Sequence, residues 1–154
     1  MLSILPRDDY YIEVFRDRIA VQNLTTGERR EHHPAVCVRP GQKRYEFAGG
    51  AEDASNGFGH PRAFVGDFGA AAGALNLAVA SVRRSKLVGP GRMLLHVQQA
   101  YEGGLSEPEI RAGMDLCFMA GAKSARVYAR PGLLSRSEVE RLLGGERGDV
   151  PGLF

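Results

Sequence analysis

Three charged residues lie within or next to predicted elements. Glu13 lies in the first strand, Asp67 precedes an alanine-rich helix, and Arg130 follows the last strand. Carboxylates that converge from neighbouring strands can hold two divalent metals, which is the arrangement that many nucleases use. The strand before the second helix, however, ends as HVQQAY with no acid, so the sequence disfavours a nuclease. Asp67 is better interpreted as a helix cap.

Histidine and cysteine offer no stronger site. His32 and His33 alternate in an extended segment, and the sequence shows no further ligand that would complete a metal site there. His96 lies within a buried strand and is interpreted as a hydrogen-bonded core residue. Cys37 and Cys117 fall in apolar runs without metal-ligand spacing, which indicates small buried side chains in a reducing compartment.

Composition indicates an ordinary globular protein. The 154 residues are 44% apolar and 25% charged, with a formal net charge of +2. Because the arginines are scattered along the chain, nucleic acid is not expected as a partner. No segment approaches the roughly 20 apolar residues of a membrane span. The start MLSIL is too short, and lacks the basic flank, for a signal peptide. We expect a cytoplasmic protein without a transmembrane segment, and peripheral membrane contact stays open.

Hydrophobic patterns define the elements that must position these residues. The segment DYYIEVFRDRIAVQNLTTGERREHHPAVCVRP predicts an antiparallel meander of three strands, at about 10–15, 18–23 and 30–38. KRYEFAGG can add a short strand, and the stretch after it, rich in Gly, Pro, Asn and Asp, predicts a loop. Two further strands are expected at 92–99 and 124–129.

Capping residues predict three helices. Asp67 stands at the N-cap of FGAAAGALNLAVASVRRS. Ser106 begins the second helix with Glu109 three residues later, and Ser135 and Glu138 repeat this capping box before the last helix.

The order of elements predicts the fold class. Right-handed crossovers place the last two strands parallel beside the first strand. The result is an α/β fold of the ribonuclease H-like type, with a five-stranded mixed sheet in the order 3-2-1-4-5 and helices on both faces. We expect an N-terminal tail over 1–8, one domain over 9–143 and a flexible C-terminal tail over 144–154.

Three segments carry a resemblance to a known family. HPRAFVGDFGAAAGAL, GGLSEPEIRAGMDLCFMAGAKSARVY and ARP, in this order and spacing, resemble the bacterial actin homologue MreB, a rod shape-determining protein. The resemblance runs over most of Tyr10 to Val127 and is strongest from His60 to Pro131. It covers only the first large subdomain of an actin-like protein, and in the complete family ATP and a metal lie between two such domains.

The chain departs from this family where nucleotide should bind. The family's first phosphate loop is Asp-x-Gly-Thr, whereas Glu13 stands here for the aspartate and Phe15 for the glycine. A phenyl ring at that position blocks the approach of phosphate to the backbone. Ala129 and Arg130 replace a pair of glutamates, one of which orients the hydrolytic water in the family. We therefore expect no enzyme activity, no cofactor and no metal, with Glu13, Asp67 and Arg130 as vestigial site residues.

The resemblance thus predicts a non-catalytic, actin-like interaction domain of the cell-shape machinery. One half of an actin-like protein exposes surface that its second domain would cover, and large exposed apolar patches usually imply a partner. We expect a homodimer or a complex with an MreB-type filament. The candidate contact residues are Ala35, Val36, Cys37 and Val38 in the third strand and Phe58, Phe64 and Phe68 in the loop. The alternative is a weak nucleotide-binding protein or half of a split actin-like ATPase.

Overall fold

The computed structural model of the protein describes residues 5–145 and 150–154, which contain seven strands and three helices. The strands are β1 (Arg7–Val14), β2 (Ile19–Asn23), β3 (Arg29–His32), β4 (Val36–Val38), β5 (Tyr45–Phe47), β6 (Gly89–Val97) and β7 (Ser124–Tyr128). The helices are α1 (Phe68–Ser81), α2 (Glu107–Met119) and α3 (Arg136–Gly144). Within these described ranges no helix has the length and apolar character needed to cross a membrane.

Five strands form one mixed sheet in the order β3-β2-β1-β6-β7. β2 pairs antiparallel with β1 and β3, whereas β6 pairs parallel with β1 and with β7. The prediction of a five-stranded mixed sheet with helices is therefore confirmed. The order of strands in this sheet is 3-2-1-6-7 and not the predicted 3-2-1-4-5. The difference arises because β4 and β5 form a separate two-stranded sheet.

The central strands of the five-stranded sheet, β1 and β6, are buried on both faces. Successive side chains of a strand point in opposite directions, so each of these strands contributes to two cores. Ile12 and Val14 of β1 lie in a larger core with α1 and α2. Tyr11 and Leu94 lie on the other face, in a smaller core with Val139 and neighbouring residues of α3. Helices thus cover both faces, α1 and α2 on one and α3 on the other.

The predicted third strand, 30–38, is wrong, because this segment divides between the two sheets. β3 ends at His32, and Pro34 has no N–H with which to continue a ladder. β4 then pairs with β5, where Val38 lies opposite Tyr45. Val36 exchanges backbone hydrogen bonds of 2.9 and 2.8 Å with Ser55, so β4 is held on both edges. This hairpin packs on α1 and does not extend the edge of the main sheet.

The three predicted helix caps are confirmed. Asp67 caps α1 by accepting a hydrogen bond from a first-turn N–H. Ser106 with Glu109, and Ser135 with Glu138, form complete capping boxes on α2 and α3. These side chains satisfy N–H groups that have no partner within the helix, so each helix begins where the sequence places it.

The predicted domain limits are too narrow at both ends. β1 begins at Arg7, and Asp8, which was assigned to the N-terminal tail, is fully buried. Its carboxylate accepts hydrogen bonds from Arg84 at 2.6 Å and from Asn23 at 2.9 Å. At the other end residues 150–154 lie against β7, with Leu153 in the smaller core, so this part of the tail is packed. Residues 1–4 and 146–149 of the predicted tails lie outside the described residues.

Candidate functional site

Glu13, the acid expected to stand for a metal-binding aspartate, is held by two other side chains. It is 6% exposed and lies on the face of the sheet that α3 covers. Arg29 donates to its Oε1 at 3.0 Å, and Gln98 donates to its Oε2 at 2.9 Å. Because both carboxylate oxygens already accept hydrogen bonds, Glu13 is bound within the protein and is not presented to a ligand.

His96 lies opposite Glu13 across the β1–β6 pair and is completely buried. Its Nε2 is 2.6 Å from the carbonyl oxygen of Arg130, so this nitrogen must carry the proton and donate. Nδ1 then accepts from the hydroxyl of Tyr11 at 2.6 Å. Burial holds the pKa of His96 below its ordinary value and raises that of Tyr11, so both side chains are neutral at pH 7. The interpretation of His96 as a satisfied core histidine is confirmed.

Gln98 closes the loop that follows β7. Its side-chain amide donates to the carbonyl of Gly132 at 2.9 Å and accepts from the Gly132 N–H at 2.8 Å. Together with His96 and Glu13, it ties the ends of β1, β6 and β7 into one hydrogen-bonded network. Sequence reasoning missed Gln98, which lies inside the predicted strand at 92–99, whereas β6 ends at Val97. The change from apolar to polar residues at Gln98 is the signal that could have identified it.

Asp67 and Arg130 do not join Glu13 in one site. Asp67 accepts from the Ala70 N–H at 3.1 Å and from the Ser55 hydroxyl at 3.0 Å, on the α1 side of the sheet. These two hydrogen bonds, the backbone one first, lower its pKa. The Arg130 side chain lies instead beside Gly152, where a Cβ on that glycine would be 2.8 Å from Arg130 Cγ. Asp67 therefore has separate partners, and Arg130 joins the Glu13 network only through its backbone carbonyl, which accepts from His96.

The turn from β1 to β2, where the sequence resemblance predicted a degenerate phosphate loop, is packed with side chains. The Arg18 guanidinium sits 4.1 Å from the centre of the Phe15 ring. Arg16 donates to the Pro61 carbonyl at 2.5 Å, and its own carbonyl accepts from Asn56 at 2.6 Å. These hydrogen bonds attach the turn to the loop before α1. The turn also contains no glycine at which a phosphate could approach the backbone.

Metal-ligating and nucleophilic side chains do not gather elsewhere in the described part of the chain. Across residues 5–145 and 150–154, no group of three or more His, Cys, Asp or Glu side chains is placed to hold a metal ion. Cys117 is fully buried, and burial raises the pKa of its thiol to about 12. A thiol of this kind is not ionised at neutral pH and is a packing residue.

An exposed apolar surface lies on the hairpin and the start of α1. Val38, Tyr45 and Phe68, which we call the hairpin patch, are 40%, 37% and 40% exposed. Val38 and Tyr45 are paired across β4 and β5. The Tyr45 ring packs on α1 so closely that a Cβ on Gly73 would be 2.6 Å from its Cγ. The glycine allows the hairpin to approach the helix, and the patch therefore sits on rigid support.

Only part of the predicted contact set is available to a partner. Val36, Phe58 and Phe64 are at most 1% exposed and belong to the larger core, so these three predictions are corrected. Ala35 and Cys37 are half-buried. The two residues of the set that are exposed are Val38 and Phe68, and both belong to the hairpin patch.

An open pocket of about 670 Å³ lies between the end of β3 and the hairpin. Its lining includes Ala35, His33 and the stacked rings of His32 and Phe47, whose centres are 4.5 Å apart. His32 Nε2 also contacts the Ser81 hydroxyl at 2.9 Å, and burial lowers the pKa of His32. His32 is therefore a neutral bridge between β3, the hairpin and α1, which fits the structural role expected from the sequence.

Comparison of the sequence with protein-family models and with curated proteins finds no match.

Proposed function

We propose that the protein is a non-catalytic, actin-like interaction domain of ribonuclease H-like fold that binds a protein partner through the hairpin patch. The partner is a second copy of the chain or an MreB-type filament, as the sequence resemblance implies. The observation that carries this proposal is the hairpin patch itself, in which three large apolar side chains stay exposed on a rigid hairpin–helix support. Apolar surface of this kind, held in a fixed shape, is suited to specific protein contact.

The charges around the hairpin patch define the complementary surface. Lys43 and Arg44 are exposed in the β4–β5 turn, and Arg39 is exposed beside Val38. Arg39 forms an ion pair of 2.7 Å with Glu46, whereas the turn adds positive charge at the rim. An acidic rim on the partner would match this surface and would speed association at low salt.

We propose that the protein is not an enzyme because groups at the strand ends take part in hydrogen bonds within the protein. Both oxygens of Glu13 accept hydrogen bonds from protein side chains, and Arg130 contributes its carbonyl to His96. Hydrolysis of a nucleotide needs a residue that orients water and a backbone that cradles phosphate. Both functions are replaced here by internal hydrogen bonds that hold the fold together.

Substitution within the hairpin patch tests the proposed contact. We expect the double substitution Val38→Asp and Phe68→Asp to weaken binding by at least about tenfold, because burying two charges in an interface is costly. Binding is measured as retention of the chain by immobilised MreB filaments or as self-association in light scattering. Leu133→Asp is the matched control, because Leu133 is 96% exposed in the loop after β7 and lies outside the patch. The proposal fails if the wild type is strictly monomeric and is not retained, or if the control weakens binding equally.

The nucleotide-binding alternative has its own measurement. Calorimetric titration of the chain with ATP and magnesium at millimolar concentration should give no saturable heat, because the side chains of Glu13, Asp67 and Arg130 have different neighbours. Saturable heat that Glu13→Gln abolishes would restore the alternative of a weak site or of half a split ATPase.

One observation favours a peripheral membrane contact as a second candidate. Leu87 is 80% exposed next to Lys86, in the loop before β6, and Leu5 is 62% exposed ahead of the paired strand β1. An apolar side chain beside a basic one suits the surface of an anionic bilayer. Co-sedimentation with vesicles of phosphatidylserine and phosphatidylcholine, with Leu87→Asp as the variant, tests this contact. Equal sedimentation of variant and wild type would contradict it.

A further inference from the structure

Small residues keep open the pocket between the end of β3 and the loop that follows β5. Its volume is about 670 Å³, within the range of roughly 300–1,000 Å³ that is typical of small-molecule sites. Much of the described lining is alanine or glycine, namely Ala35, Ala48, Gly49, Gly50, Ala51 and Ala54. None of these residues has a side chain long enough to fill the space, so the pocket can admit a ligand.

Backbone hydrogen bonds fix the loop that forms one wall of this pocket. The Ala48 N–H donates to the Ala35 carbonyl at 2.9 Å, and the Ala51 N–H donates to the Ala48 carbonyl at 3.0 Å. The turn that the second bond closes holds Gly49 at φ +55° and Gly50 at φ +93°, which glycine adopts without strain. The wall therefore has a defined shape before any ligand binds, and this lowers the cost of binding.

The stacked rings of His32 and Phe47 form an uncharged aromatic wall. Their centres are 4.5 Å apart and their planes differ by 12°. The Ser81 hydroxyl donates to the Ala78 carbonyl at 2.6 Å, so it accepts from His32 Nε2 at 2.9 Å. Because burial lowers the pKa of His32, its ring is neutral and Nδ1 is an acceptor. Both rings are half-buried, and such a surface binds another ring by stacking.

The pocket also presents N–H donors. His33 Nδ1 accepts from the Ala35 N–H at 3.2 Å, so the neutral ring of His33 carries its proton on Nε2. Within the described part of the chain, this Nε2–H and the backbone N–H groups of Gly49 and Gly50 have no hydrogen-bond partner. The pocket therefore suits a ligand that carries an acceptor such as a carbonyl oxygen.

Glu31 supplies a carboxylate to the lining, and its charge is already compensated. Arg29 lies 3.4 Å from Glu31 Oε1, and Arg18 lies 3.8 Å from Glu31 Oε2. A charged ligand would lose its hydration against the apolar lining and would find no unpaired ion there. The lining therefore favours an uncharged ligand.

We propose that this pocket binds a small, uncharged aromatic amide that stacks on the rings of His32 and Phe47. The carbonyl oxygen of the amide accepts from the N–H groups of His33, Gly49 and Gly50, and its own N–H donates to His32 Nδ1. Both kinds of hydrogen bond matter, because a polar group that is left unmatched in an apolar pocket opposes binding.

This site is separate from the hairpin patch. Val38, Tyr45 and Phe68 are not among the described residues that line the pocket. The double substitution Val38→Asp and Phe68→Asp should therefore leave ligand binding unchanged. Failure of the protein contact and failure of the ligand site can thus be distinguished.

Titration of the full chain with nicotinamide, followed in two-dimensional amide NMR spectra, tests the site. We expect saturable shifts of the Gly49 and Gly50 signals, with a dissociation constant in the millimolar range because the ligand is small. Ala54→Leu places a larger side chain in the lining and should weaken binding by at least about tenfold, since the same space cannot hold both groups. Ala80→Leu is the matched control, because Ala80 is an exposed alanine of α1 outside the described lining.

Two related compounds test the class of ligand. Cyclohexanecarboxamide keeps the amide without an aromatic ring, and nicotinate keeps the ring but is charged. Each should bind at least about tenfold more weakly than nicotinamide, because stacking or neutrality is lost. Equal binding of cyclohexanecarboxamide would overturn the aromatic requirement, and equal binding of nicotinate would overturn the requirement for an uncharged ligand.

The site itself is overturned if nicotinamide causes no saturable shift at Gly49 and Gly50, or if a folded Ala54→Leu chain binds it as well as the wild type. The comparison of the three compounds uses the wild-type chain, so it decides the class of ligand even where Ala54→Leu does not fold.

Discussion

Replacement of Gly73 by alanine tests the packing that supports the hairpin patch. An alanine Cβ would lie 2.6 Å from Tyr45 Cγ and 2.9 Å from Tyr45 Cβ, so the hairpin would have to move away from α1. Overpacking of this kind costs about 1–3 kcal/mol. Alanine in a helix interior gains about 1 kcal/mol over glycine. The sum is a net destabilisation of about 1 kcal/mol.

Removal of the whole Tyr45 side chain reverses the sign of this effect. In a Tyr45→Gly background both the ring and the Cβ that the new methyl group would meet are absent. Gly73→Ala should then stabilise the protein by about 1 kcal/mol through helix propensity. The coupling between the two positions is therefore about 2 kcal/mol. Urea unfolding of the four proteins, followed by circular dichroism, measures it. Gly69→Ala is the matched control, since the nearest atom to its Cβ, at 3.0 Å, would be the hydroxyl at the movable end of the Tyr45 side chain. Equal effects of Gly73→Ala in both backgrounds would refute the reasoning.

Three further predictions concern residues of the core and the caps. Because burial lowers the pKa of His96, the folded state favours the neutral ring, and the free energy of unfolding should fall as pH drops below about 6.5. The dependence of the urea midpoint on pH between 8 and 5 should be weaker in His96→Gln. A substitution of exposed His33 should leave this dependence unchanged. Burial raises the pKa of Asp8, but hydrogen bonds from Arg84 and Asn23 outweigh this effect, and the pKa of Asp8 is lowered. The stability that this carboxylate contributes is therefore present above about pH 4 and is lost below it. Arg84→Ala should cost about 2 kcal/mol at pH 7, less than the roughly 3–5 kcal/mol of a fully buried pair, because Arg84 is 43% exposed. An unchanged urea midpoint would contradict this. Asp67→Ala should cost about 1 kcal/mol and Asp67→Asn much less, since asparagine also caps helices, and equal losses in thermal unfolding would show that the cap is not the cause.

The parts of the fold that the sequence predicted correctly depend on short-range signals. The caps at Asp67, Ser106 and Ser135 each act on an N–H three residues away, so the pattern that forms them is visible in the sequence. Four strands of the main sheet, β1, β2, β6 and β7, have alternating or continuous apolar runs, and right-handed crossover rules then fix which neighbours the parallel strands have. His96 was also interpreted correctly, because a histidine inside an apolar strand must find hydrogen-bond partners when it is buried.

The interpretation of the candidate site was less complete, because its contacts join distant parts of the chain. Phe15 and Arg130 were identified only as departures from the family that the sequence resembles, and the sequence did not show that Glu13 is bound by Arg29 and Gln98. The last of these bonds spans 85 residues. No periodicity or motif reports a pairing over such a separation.

The sequence by itself determined where the three helices begin and that His96 is a buried, hydrogen-bonded residue. These features follow from backbone geometry and hydrophobic pattern within a few residues. Only the tertiary structure decided that β4 leaves the main sheet, that Tyr45 rests on Gly73 and that Leu153 closes the smaller core. Each of those contacts depends on how two remote surfaces fit, and this fit is established only when the whole chain is packed.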